Sequence, residues 1–440
     1  MQEIKVAKQI IYCIITIDSL FGGKSIMTFN ILTLGCKANQ YDSAYMEKLL
    51  RDEGYTAVSH TEQAELIIVN SCTVTATADS KSGKALRRAR RENPNALIVL
   101  TGCMAQTKQN VEQAFPEADI VMGIAQQKDI VSVVSGHEKA RIAENDGAVS
   151  GFIEAFKERS RAFLKIEDGC NNFCAYCIVP FARGRVRSKD KDAVLREVDV
   201  LSDSYEELVL TGINLSAYGS DKSSSLIELL EAIEEQGRAK RVRISSFEPH
   251  ELTDDFITRL SKLKCICPHL HLSLQSGCDA TLMRMGRRND TAFLKNAIEK
   301  LRTEINGVQL TCDVIVGFPG ETQEEFEATY NLLSSIGLLD MHVFRYSKRP
   351  GTISAVMPSQ VAPQIKEERK DILLRLAEEA KAQILASYIG KSLEVLFESE
   401  KNGVCEGFSR EYIPVVSSSA VCGEVSRVLI TGSDGKVCYA

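Results

Sequence analysis

The chain has 440 residues, 44% of them hydrophobic and 25% charged, with a formal net charge of −6. That balance fits two to four ordinary globular domains and gives no global sign of nucleic-acid binding, so any basic surface is local. Fourteen cysteines in so long a chain are not a small secreted disulfide scaffold, and their short spacings suit metal ligation in a reducing cytosol.

Residues 1–26 place Lys5 and Lys8 ahead of a short apolar run, Ile10 to Ile17. The run is too short to span a bilayer and shows no clear cleavage site, so it reads as a dispensable extension with Met27 as the natural start. No membrane partner is expected, and a cytoplasmic location is.

From Met27 to about residue 140 the pattern alternates strand and helix. "FNILTLGC", "ELIIVNSC", "NALIVLTGC" and "ADIVMGI" read as buried strands, and "YDSAYMEKLLRDEGY" as an amphipathic helix closed by Gly54. Continuous apolar strands between helices predict an α/β domain with a parallel, flavodoxin-like sheet. Cys36, Cys72 and Cys103 each fall just after one of these strands. Ligands gather outside the carboxyl ends of such strands, so the three converge on one patch and predict a joint metal site rather than three buried small hydrophobes.

A polar linker, "ARIAENDGAVSG", precedes a second domain expected over residues 145–375. Six strand-like runs recur there, from "AFLKIED" to "MHVFRYS", with helices such as "TQEEFEATYNLLSSIG" between them. Six β/α units make an open, partial β/α barrel with its function at the strand carboxyl ends. A charged helix then leads into residues 376–440, whose alternating pattern predicts a small β-barrel.

The first strand of the second domain runs directly into "DGCNNFCAYCIVPFARGR", where Cys170, Cys174 and Cys177 form C-x3-C-x2-C. Three ligands leave one coordination position open, whereas a closed zinc or iron–sulfur site takes four. No fourth Cys or His lies nearby at zinc-ribbon spacing.

This loop at the start of a β/α barrel resembles the radical S-adenosylmethionine superfamily. The resemblance implies a 4Fe-4S cluster on Cys170, Cys174 and Cys177 whose unique iron binds S-adenosylmethionine, and a 5′-deoxyadenosyl radical made by its reductive cleavage. The wider set, "LGCKANQYDS", "VNSCTVT", "LTGCMAQ", the cysteine loop and a tail resembling a TRAM module, is similar to the methylthiotransferase family from Met27 onward. Within it, "VLTGINLSAYG" and "RISSFEP" look most like the enzymes acting on threonylcarbamoyladenosine in tRNA. The alternatives are isopentenyladenosine in tRNA, a ribosomal-protein aspartate, or a non-catalytic iron–sulfur RNA-binding redox sensor.

The resemblance further implies that Cys36, Cys72 and Cys103 bind a second 4Fe-4S cluster that delivers sulfur. An electron donor such as a flavodoxin or ferredoxin and a sulfur donor are implied partners. It places Gly212 and Asn214 near the methionyl group, Ser273, Gln275, Ser276 and Gly317 near ribose or adenine, and Ser246 and Glu248 at the same site. Each glycine also fits an ordinary strand-to-helix turn.

For the tRNA anticodon loop, the local evidence is "KSGKALRRARR", with six positive charges on one helix, and the run Arg183, Arg185, Arg187, Lys189 and Lys191. From Lys391 onward the tail carries five basic against seven acidic residues, so its RNA role is expected through aromatic groups such as Phe408 and Tyr412. The other cysteines, Cys265 and Cys267 among them, read as core or loop thiols, and His269 and His271 as structural.

Overall fold

The computed structural model describes residues 27–440, except residues 60, 61, 146, 148, 150 and 157–159. The expectation for the N-terminal extension lies outside the described residues.

The first domain is a five-stranded parallel sheet in the order β2-β1-β3-β4-β5, the flavodoxin-like order. Its strands are β1 (Thr28–Thr33), β2 (Thr56–Ala57), β3 (Leu66–Ser71), β4 (Leu97–Gly102) and β5 (Ile120–Val121). β3 is buried along its whole length, which is why it reads as an unbroken apolar run. Helix α1 (Lys37–Asp52) begins four residues earlier than its periodicity suggests, because Cys36 occupies the N-cap without a capping side chain. Helix α2 (Ala76–Glu92) starts conventionally, with Thr75 accepting from the Ala78 amide. A short helix, α3 (Cys103–Thr107), follows β4.

The second domain holds strands β6 (Arg161–Lys165), β7 (Glu207–Thr211), β8 (Val242–Ile244), β9 (Ser246–Phe247), β10 (His269–Gln275), β11 (Gln309–Val316) and β12 (Asp340–Arg345). They pair in parallel as β8-β7-β6 and β9-β10-β11-β12. "RVRISSFEP" is one strand by sequence but breaks at Ser245, so β8 joins one sheet and β9 the other. The walls therefore follow chain order, as an open β/α barrel requires. A single apolar core runs through them, from Leu164 and Leu210 to Leu310 and Val314.

Helix α4 (Val179–Arg183) closes the cysteine loop, and α5 (Gln323–Ile336) opens with a capping box between Thr322 and Glu325. The long helix α6 (Pro363–Ala386) starts on proline and packs Leu373 and Ala377 into the barrel core. Its last turn sends Leu385 into the C-terminal core instead, so the sequence-based boundary at residue 375 falls inside one continuous helix. The TRAM-like module is a six-stranded, chiefly antiparallel sheet over residues 392–439. No helix among the described residues is long and apolar enough to cross a membrane.

Candidate active site

β1, β3 and β4 are neighbours in the sheet, so the residues that follow them lie side by side. Cys36 caps α1, Cys72 follows β3, and Cys103 opens α3. The packing is tight: a Cβ on Gly35 would stand 2.8 Å from Cys72 Cβ, and Gly35 holds φ +104°. Burial pushes the Cys103 thiol up to about 12, against the pull of the Arg183 guanidinium, and raises Cys72 as well. Anionic sulfur is therefore stable here only with positive charge beside it.

Cys170, Cys174 and Cys177 lie on the loop between β6 and α4. Gly169 is obligatory, since a Cβ there would meet the Arg185 carbonyl at 1.9 Å. Burial drives Cys170 up to about 11 and Cys177 up to about 12. Donors face the sulfurs: Asn214 Nδ2 lies 3.7 Å from Cys170 Sγ, and Arg287 Nη1 lies 3.6 Å from Cys174 Sγ. Arg287 also donates to Glu248 Oε1 at 3.1 Å and to the Ser273 carbonyl at 2.6 Å. Its Nε is buried without a partner among the described residues, as is that of Arg183.

Gly212, Asn214, Ser246, Glu248 and Ser273 thus gather at strand ends around the loop. Glu167, which the sequence did not single out, organises them: its Oε2 accepts from the Ile213 and Asn214 amides at 2.9 and 2.7 Å. A Cβ on Gly212 would reach that carboxylate at 2.6 Å. Gln275 takes φ +70° at a register break in β10. The Ser276 hydroxyl turns instead onto Thr329 of α5 at 3.1 Å, and Gly317, at φ +71°, abuts Lys366 of α6.

The basic run after the loop corrects the sequence reading. Arg183, Arg187 and Lys189 are buried in ion pairs, Arg183 across the two domains and the other two within the second, and form no RNA surface. Arg183 donates to Asp42 at 2.8 Å, to Asp168 at 3.1 Å and to Asn39, while Lys165 also pairs with Asp42. Lys189 pairs with Glu197, and Tyr41 donates to the same carboxylate at 2.7 Å. Of that run only Arg185 and Lys191 are exposed. On α2, Lys81, Lys84, Arg87, Arg88 and Arg91 are exposed as expected, whereas Arg90 is spent on carbonyls and Asp119.

A cavity of about 500 Å³ lies between the first triad, the barrel interior and the C-terminal sheet. Phe408 and Tyr412 stack on each other at 4.6 Å, and Tyr412 stacks on His269 at 4.4 Å. They line this cavity and are half-buried. Arg161 pairs with Glu398 at 2.7 Å, so part of the tail's acidic excess docks on the barrel, while Arg243 pairs with Glu207 inside the barrel at 2.7 Å. His271 and His342 both face Asp313 Oδ1 at 3.2 Å. These three are the one group of three or more His, Cys, Asp or Glu side chains among the described residues with ligand atoms within 4.8 Å of one another.

Residues 28–123 match the family described as uncharacterized protein family UPF0004, and residues 164–333 match the radical SAM superfamily. The fold is similar to that of TsrM, a radical S-adenosylmethionine methyltransferase from Kitasatospora setae. The TM-score is 0.56 at 14% identity, over 76% of this chain and 77% of that one. Fold and site define a radical S-adenosylmethionine enzyme with an α/β domain ahead of its barrel.

Threonylcarbamoyladenosine tRNA methylthiotransferase MtaB of Bacillus subtilis is 37% identical over 90% of this chain and 92% of its own length. Its namesake from Thermotoga maritima is 37% identical over 88% and 90%. A tRNA-2-methylthio-N(6)-dimethylallyladenosine synthase from Caldicellulosiruptor saccharolyticus is 34% identical over 87% and 85%. The chain belongs to the radical S-adenosylmethionine methylthiotransferase family.

Proposed function

We propose that the chain methylthiolates C2 of N6-threonylcarbamoyladenosine at position 37 of tRNA. The observation that carries the reading is the adjacency of two cysteine triads, joined through one buried arginine, Arg183. The substrate assignment is supported by the relatives named for threonylcarbamoyladenosine at 35–37% identity.

Cys170, Cys174 and Cys177 would hold one 4Fe-4S cluster, and Cys36, Cys72 and Cys103 a second. When bound, the clusters and S-adenosylmethionine supply one-electron chemistry and sulfur, which side-chain acids and bases cannot. The chain's own residues do the rest. The thiols must shed their protons to ligate, and burial makes that costly until a cation arrives. Asn214 and Arg287 donate to the loop sulfurs, and Glu248 fixes Arg287. Glu167 fixes the backbone of Ile213 and Asn214. Ser246, Ser273, Gln275 and Gly317 are proposed to line the S-adenosylmethionine site, with Gly212. The orphaned Nε atoms of Arg183 and Arg287 are donors available to cluster sulfur.

The proposed reaction would draw on an external electron donor and a sulfur donor, and a cytoplasmic location is proposed with it. Anaerobically reconstituted protein is expected to hold about eight irons per chain and Cys174→Ala about four. Cys72→Ala is expected to keep making 5′-deoxyadenosine while losing sulfur insertion. Mass spectrometry of tRNA nucleosides from a deletion strain tests the substrate. Persistence of 2-methylthio-threonylcarbamoyladenosine there, with loss of the dimethylallyladenosine derivative, would transfer the assignment to the latter.

A further inference from the structure

We infer that Lys37 is a specificity-determining residue that binds a carboxylate carried on the N6 substituent of the target adenosine; this rests on the methylthiotransferase reading above.

Four cations, Lys37, Arg161, Arg243 and Lys381, line the cavity that begins at Gly35 and Cys36. Three of them are already answered, Lys381 by Asp340 at 3.2 Å. Glu207 Oε1 takes Arg243 at 2.7 Å and Arg161 at 3.5 Å, and Glu398 takes Arg161 as well. Lys37 forms no ion pair among the described residues, although it is only partly exposed. It is also the first residue of α1, a 16-residue helix with no acidic residue in its first turn. A helix N-terminus favours negative charge, and both guanidiniums line the same cavity as the ammonium. A cation placed against three unfavourable influences, facing a cavity, is complemented by an anion that arrives with the substrate.

The position selects the anion's source. Lys37 follows Cys36 directly, and Gly212 and Ser246 from the other site line the same cavity. A nucleobase between the two triads presents its exocyclic substituent to this space. A threonylcarbamoyl group ends in a carboxylate and a hydroxyl, and Thr311 and His271 stand in the same cavity as hydrogen-bonding partners. A dimethylallyl group would bring apolar surface against an uncompensated ammonium and gain nothing from it.

The test measures binding of anticodon stem-loop RNAs carrying threonylcarbamoyladenosine, its carboxyl methyl ester, or unmodified adenosine. Wild type is expected to bind the acid about 10- to 100-fold more tightly than the ester, as charge-assisted hydrogen bonding predicts. Lys37→Met should erase that preference without changing affinity for the unmodified RNA, and Lys37→Arg should retain it. Equal loss for all three RNAs in Lys37→Met would mean a backbone phosphate contact and would overturn the proposal. So would equal binding of acid and ester by wild type, a comparison that stands even where a variant misfolds. Failure of the parent reading looks different: wild type would then turn over a dimethylallyladenosine stem-loop and leave the threonylcarbamoyl one unconverted.

Discussion

Arg183, from the loop of one cysteine triad, donates to Asp42 of the helix that starts at the other, at 2.8 Å and with no exposure to solvent. Asp168, two residues before Cys170, shares the same guanidinium at 3.1 Å. The two domains are therefore registered by a buried charge cluster rather than by apolar packing alone. Such clusters define geometry more than they add stability.

Arg183→Met keeps the volume and removes the charge, leaving Asp42 and Asp168 with Lys165 and Arg187. The expected cost is about 3–5 kcal/mol, read as a lower urea midpoint. The electron paramagnetic resonance signal of the cluster proposed on Cys36, Cys72 and Cys103 should shift, because a positive donor beside Cys103 is gone. Unchanged spectra in a folded variant would reduce Arg183 to a structural clamp.

Gly35 gives a local test of the same triad. Alanine there must adopt φ near +104° and place a Cβ 2.8 Å from Cys72 Cβ. The strain and overlap together cost about 1–3 kcal/mol and displace Cys72. Gly35→Ala should therefore lose iron from one site while 5′-deoxyadenosine formation at the other persists. Full iron content would show that the loop yields instead.

Glu207 holds three barrel arginines, Arg161, Arg241 and Arg243, that reach the C-terminal sheet. Burial would raise its pKa, but Arg243, Arg241 and Arg161 outweigh burial and hold it at about 2 against an ordinary 4.5. A carboxylate depressed on folding contributes stability above its unfolded pKa and loses it as pH falls through the folded one. The contribution, roughly 3 kcal/mol by linkage, should be fully present above pH about 4.5 and lost towards pH 2. Glu207→Gln should lower the urea midpoint at pH 7 and flatten its decline in acid. Parallel acid profiles for variant and wild type would refute this role.

How much of this was legible in the sequence depends on the range of the signal. Strand periodicity and the cysteines at strand ends are local, so the parallel sheet, the barrel and the positions of those cysteines could be read directly. The start of α1 could not, because a cysteine stands where a capping Ser, Thr, Asp or Asn would announce it. Arg183 and Lys189 were misread for a deeper reason. A basic run looks the same whether it faces solvent or carboxylates more than a hundred residues away, as with Asp42 and Arg183. The surroundings of Tyr412 were out of reach in the same way: His269 and Arg243, which meet its ring, belong to another domain. Lys37 sat within a quoted motif, but its significance needed the cavity.

The surviving basic surface is that of α2, where Lys81, Lys84, Arg87, Arg88 and Arg91 are exposed. Arg88 is partly committed to Glu92 at 2.9 Å, an exposed pair worth little. Arg87 and Arg91 are the better test. Phosphate contacts release counterions, so each lost contact lowers the slope of log affinity against log salt by about 0.7–0.9. Arg87→Gln with Arg91→Gln should weaken tRNA binding at low salt, with both iron sites and 5′-deoxyadenosine formation unaffected. The threonylcarbamoyl acid and the unmodified stem-loop should lose affinity equally, the opposite pattern to Lys37→Met. An unchanged salt slope would reassign α2 as a solvated face and leave the RNA-binding surface elsewhere.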